Sequence, residues 1–183
     1  MIAWGSVAEW VSGIGSLSAS IVALYISLEA RRIKLRGYCG VREIVQQGAP
    51  VVTVLSVGVT NIGTRSTIVN NVGIRSGARK KARTAIIVFN RDAWSDGIPC
   101  TIADGKSGRW SIILDAERTW VRELAEGMLE KSGDLVSTLR FSIHTSHGAT
   151  LWIKPDDSLT MELLKFTSVP APKKYESEVS QLA

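Results

Sequence analysis

Few residues in this chain could do chemistry. The two histidines, His144 and His147, flank a Ser146-His147-Gly148 turn. With a cysteine or a carboxylate they could hold a metal ion. At a hairpin tip the same spacing gives two solvent-facing polar side chains, and that is the expectation here. Asp156-Asp157 follows Pro155 and could be a ligand pair, but such pairs are far more often solvated turns. Cys39 and Cys100 are far apart and fit no metal-ligand spacing. They are compatible with one disulfide in an oxidising space or two free thiols in a reducing one. Asp104-Gly105-Lys106-Ser107-Gly108 ends in the lysine and serine of a phosphate loop but lacks its first glycine at the required distance. Gly13-Ile14-Gly15 lies inside an apolar run and follows no strand. No G-x-S-x-G or H-E-x-x-H occurs. The sequence therefore predicts no catalytic residue, no cofactor and no metal, and a protein that is not an enzyme.

The rest of the chain is organised around Trp10 to Leu28, WVSGIGSLSASIVALYISL, which contains no charge. At about 1.5 Å per residue such a helix is roughly as long as the ~30 Å hydrocarbon core of a bilayer. It reads as a single transmembrane helix. A buried core helix or the apolar region of a signal peptide would look similar. The preceding residues carry one acid, no base and no A-x-A-like cleavage site, so the segment is expected to be retained. Arg31, Arg32, Lys34 and Arg36 follow directly. The positive-inside rule then places the N-terminus outside and the rest of the chain in the cytoplasm. The same four residues are candidates for contact with lipid headgroups, membrane lipids being the expected partner.

Ser12, Ser16 and Ser20 recur four apart, with Ala19, Ala23 and Ser27 beside them. Small residues at this spacing let a second helix approach closely, and serine can hydrogen-bond across the contact. The expected partners are other transmembrane helices, from copies of this chain or from a larger membrane complex. Arg79, Lys80, Lys81 and Arg83 form a second basic cluster, a possible partner surface or simply a solvated loop. No aromatic residue lies within it, which argues against single-strand stacking, so nucleic acid is not an expected partner.

From Gly37 the pattern turns extended. Strands are expected at Tyr38–Val45, Val51–Ile62, Thr67–Arg75, Thr84–Phe89, Arg109–Leu114, Leu139–Thr145 and Ala149–Ile153. Thr67–Arg75 is expected to pair with the strand before it, and the last two to form a hairpin. Ala116–Lys131 reads as a helix, with Trp120, Leu124 and Met128 four apart, Asp115 as N-cap and Gly133 past its end. Leu159–Phe166 is ambiguous between strand and short helix. Three regions result: residues 1–36 as anchor and basic segment, 37–166 as domain, 167–183 as flexible tail. About seven short strands between Gly, Pro and Asp turns predict a mainly β fold, an antiparallel sandwich with one helix at an edge.

The run Trp10-Val11-Ser12-Gly13-Ile14-Gly15-Ser16, then Ile21-Val22-Ala23-Leu24-Tyr25 and a basic patch, resembles the start of many small bacterial and prophage proteins. In these a single span leads into an immunoglobulin-like β-sandwich. Val59-Thr60-Asn61-Ile62-Gly63, followed by a strand, resembles the B–C region of such domains. The Cys…Trp…Cys spacing of antibody domains is missing, so the resemblance implies only the looser sandwich, and it carries no catalytic residues across. The functional expectation is a membrane-anchored binding or scaffolding protein, an accessory subunit of a larger or homo-oligomeric assembly. The alternative is a membrane-acting effector of a bacterial or phage conflict system.

Overall fold

The computed structural model describes residues 7–77, 82–129 and 136–167. Helix α1 spans Val7–Ala30. The strands are β1 (Leu35–Ile44), β2 (Val52–Asn61), β3 (Thr67–Ser76), β4 (Arg83–Ile87), β5 (Cys100–Ile102), β6 (Ser107–Ile113), β7 (Arg140–Thr145) and β8 (Thr150–Ile153). Two shorter helices, α2 (Thr119–Leu124) and α3 (Asp157–Lys165), complete the set. The fold is mainly β, as expected, with two antiparallel sheets behind one apolar N-terminal helix.

One sheet runs β1-β2-β6. The other has five strands, in the order β4-β3-β7-β8, with β5 also paired to β3. Both contribute to one core: Leu55, Val57, Val59 and Trp110 from the first, Val69, Val72, Ile74, Phe141 and Ile143 from the second. β2 is the middle strand of its sheet, and its run from Val54 to Val59 is buried throughout. That is why its sequence is the most β-branched in the chain. β1 begins at Leu35, two residues inside the span expected for the anchor.

The expected pairing of β2 with β3 does not form; the two lie in different sheets. The Asn61 side chain is the reason. Its amide donates to the carbonyls of Arg65 (2.8 Å) and Ile102 (3.2 Å), and its oxygen accepts from the Gly63 N–H (3.0 Å). This buried asparagine turns the chain across the core instead of back along β2. β5, only three residues long, was not expected in its turn-rich stretch.

The predicted helix at 116–131 also begins late. Residues 116–118 form a turn with Arg118 at φ 54°, and α2 starts at Thr119, continuing into a π-helical turn over Ala125–Leu129. The N-cap position is Arg118, not Asp115 as the sequence suggested, but Asp115 still fixes the start: its carboxylate accepts from the Thr119 N–H (2.7 Å) and hydroxyl (2.6 Å). These bonds favour the charged form and hold the Asp115 carboxyl below the ordinary aspartate range. Lys131 and Gly133 lie outside the described residues, as does nearly all of the expected tail. The ambiguous 159–166 stretch is helix α3, capped by the Asp156 carboxylate, which accepts from the Leu159 N–H at 3.1 Å.

Candidate functional site

The residues singled out for chemistry do not converge. His144 has Nε2 3.0 Å from the Ser142 hydroxyl and Nδ1 3.1 Å from that of Thr150. His147 has Nδ1 3.2 Å from the Ser146 hydroxyl and 3.4 Å from that of Thr67. Each ring is engaged with nearby hydroxyls, on the β7–β8 hairpin and, for His147, on β3 as well. Asp156 caps α3 and pairs with Arg42 at 2.6 Å. Among the described residues no three His, Cys, Asp or Glu side chains are grouped to hold a metal. Cys39 and Cys100 are free thiols in different sheets. Burial, and then the Asp156 charge, push the Cys39 thiol well up; burial and Asp96 raise Cys100.

The outer face of the three-stranded sheet carries two shallow recesses, about 310 and 380 Å³, with Tyr38 and Arg109 lining both. Their charges are mixed, and several of them are engaged within the fold. Arg42 is held by Asp156, and Asp96 accepts from the Arg109 backbone N–H at 2.7 Å.

The element that stands out is α1. Glu9–Ala30 is long and apolar enough to cross a membrane, and 0 % of its apolar window is buried. Leu17, Ile21 and Leu24 are 62, 58 and 60 % exposed. At 3.6 residues per turn, Ser12, Ser16, Ala19, Ser20, Ala23 and Ser27 fall within a sector of about 100°. Ile14, Leu17, Ile21, Leu24, Tyr25 and Leu28 fall within a sector of similar width on the opposite side. The expected packing face is therefore one continuous strip, backed by a strip of bulky residues. The Ser20 hydroxyl donates to the Ser16 carbonyl at 2.9 Å, so this serine is satisfied within its own helix.

Below the helix the basic collar is exposed at Arg31, Arg32, Lys34 and Arg36. Glu29, unremarked in the sequence, sits among them. Its carboxylate is 2.6 Å from Lys34 Nζ and 3.5 Å from Arg32 Nε. Both partners are well exposed, so these pairs orient the collar more than they stabilise it. In the second basic cluster Arg79, Lys80 and Lys81 lie outside the described residues. Arg83 is exposed and donates to the Gly127 carbonyl at 2.7 Å.

The junction between helix and domain is short and closed. Arg31 and Arg32 finish the helix with N–H bonds to Leu28 and Glu29, and β1 begins at Leu35. The loop after β2 folds back onto this link: the Ile62 N–H donates to the Lys34 carbonyl at 2.9 Å. At Gly63 an added methyl would come within 3.1 Å of the Lys34 backbone nitrogen. Glycine lets the loop come this close without pushing the Lys34 backbone aside.

No protein-family model and no curated protein matches the sequence. Among solved structures the chain is similar to the crystal structure of the ApaA protein from Bordetella pertussis, at 12% identity. The match covers 68% of this chain and 89% of that one, with a TM-score of 0.32.

Proposed function

We propose that this protein is a membrane-anchored binding or scaffolding subunit. α1 spans a bacterial inner membrane with its N-terminus outside, and the β domain faces the cytoplasm. One observation carries the reading: the apolar residues of α1 are bare, while the domain closes its own core without them. Water would not tolerate such a surface; lipid or another helix satisfies it. The basic collar at the helix end supports the orientation.

The small-residue strip packs on another transmembrane helix, from a copy of this chain or from a larger complex. It is the face on which two backbones can approach closest. The domain itself is immunoglobulin-like. Lettering β1, β2, β3, β6, β7 and β8 as A, B, C, E, F and G puts A, B and E in one sheet and C, F and G in the other. That is how immunoglobulin domains divide their strands, and it supports the reading. The Asn61–Ser66 turn is then the B–C connection.

The test is extraction and sizing. Washing membranes with alkaline carbonate should leave the protein in the pellet. In mild detergent its mass should exceed one chain, through self-association or a co-purifying membrane protein. A carbonate-soluble protein defeats the anchor; a lone detergent-solubilised monomer defeats the scaffolding role.

A further inference from the structure

The loop that follows β2 stands beside the last turns of α1. Ile62 and Thr64 line a recess of about 300 Å³ whose other wall is Tyr25, Ile26, Arg32 and Lys34. If α1 spans the bilayer, this loop is level with the helix end, at the depth of the headgroups. Its composition suits that depth. Ile62 is 59% exposed, a large apolar side chain on the wall of the recess facing Tyr25 and Ile26 of α1. Arg65 is exposed beside it.

A second loop is tied to the first. The Asn61 N–H donates to the Lys106 carbonyl at 3.0 Å, and the Gly105 N–H to the Asn61 carbonyl at 3.1 Å. Lys106 therefore joins Arg31, Arg32, Lys34 and Arg65 at one end of the domain. Asp104 and Glu29 are the acids there, and Glu29 is paired with Lys34 and Arg32. The bases outnumber the acids at the end from which α1 leaves.

We infer that the Ile62–Arg65 loop, with Lys106, docks on an anionic lipid surface beside the helix end. This gives the domain a second membrane contact and one fixed orientation. Ile62 enters the interfacial region, the basic side chains meet headgroup phosphates, and the 300 Å³ recess receives lipid. The short link and the Ile62–Lys34 hydrogen bond prevent the domain from swinging away on a tether. The inference rests on the reading of α1 as a membrane span.

The test uses the full chain with Cys100→Ser, Cys39 being buried. An environment-sensitive fluorophore is attached at Thr64→Cys, at Leu17→Cys in α1, or at Gln47→Cys in the β1–β2 loop at the far end of β2. Each protein is reconstituted with headgroup- or chain-nitroxide quencher lipids, in phosphatidylcholine alone or mixed with phosphatidylglycerol. The expected result is quenching at Leu17 and at Thr64, none at Gln47, and stronger quenching at Thr64 in the anionic bilayer. Arg65→Ala or Lys106→Ala should each lower the ratio of docked to undocked loop roughly five-fold, the effect of one basic residue at an anionic surface. Thr64 as dark to quencher as Gln47, with Leu17 quenched, would overturn the docking while leaving the anchor standing. Equal quenching at Thr64 in both lipids would overturn the anionic headgroup as its partner. An unquenched Leu17 would remove the membrane span and this inference with it.

Discussion

Helix α1 and strand β2 are both long apolar stretches, and they end in opposite surroundings. In β2 the side chains of Val54, Leu55, Val57 and Val59 are at most 1% exposed. In α1, Leu17, Ile21 and Leu24 are more than half exposed. The difference is one of neighbours. β2 has a strand on each edge and a second sheet across the core. Among the described residues, α1 meets the rest of the chain near its last turns, around the Ile62–Thr64 loop. Apolar composition announces that a segment must leave water; the tertiary partners decide whether it leaves for a core or for something outside the molecule.

Each region can be broken without the other if this contrast holds. The largest effect is expected from Phe141→Ala, which removes a fully buried ring shared by both sheets. It should destabilise the domain by about 3–5 kcal/mol. Thermal unfolding in detergent should shift sharply downward while carbonate-washed membranes still retain the protein. Loss of membrane retention along with the fold would show that α1 depends on the domain.

Ile21→Arg is the converse. A charge near the centre of a span costs about 3 kcal/mol of insertion. The protein should leave the membrane fraction, with the domain's unfolding temperature in detergent unchanged. A shifted melting temperature would mean that α1 packs on the domain.

The two thiols sharpen the contrast inside the domain. Both are raised, so each has less thiolate near pH 8 than a free cysteine, and alkylation should speed up as pH rises. Cys100, half-buried, should react with iodoacetamide in the native protein. Cys39, 1% exposed, should react only after unfolding.

The smallest effect is at Asp115. Its folded carboxyl titrates lower than in the unfolded chain, so its contribution is present above the ordinary aspartate range and is lost as pH falls through the lowered value. Asp115→Asn should therefore lower the unfolding temperature slightly at pH 7, and the gap to the parent should close in acid. A gap that persists in acid would mean that the carboxylate charge is not what matters there.

Most strand positions were legible because each is a short, β-rich run bounded by turn residues. Val51–Ile62 differs from observed β2 by one residue at each end. The extent of α1 was legible for the same reason: local periodicity and length suffice. The β2–β3 partition was not, because it depends on Asn61 bonding to Ile102, some forty residues away in sequence. The role of Asp156 was equally hidden. A carboxylate after a proline reads as a solvated turn until α3 and Arg42 arrive beside it. At the end where α1 joins the domain the basic collar could be read directly, but the gathering of Glu29, Ile62, Arg65 and Lys106 there could not. A lone isoleucine in a turn, followed by a single glycine, gives little local signal of what it will face.

The sequence by itself determined that one segment is too apolar for water and too long and regular for a loop. It also determined that the remainder alternates as strands, and that its few histidines, cysteines and carboxylates follow no catalytic spacing. These properties depend on residues within a turn or two of each other, where sterics and side-chain periodicity act directly. Only the tertiary structure decided that none of the described residues of the domain covers the apolar window of α1, which strand joins which sheet, and which two loops gather at the helix end. Those outcomes depend on contacts between residues far apart in the chain, where the closure of a shared core selects one arrangement from many that local preference allows.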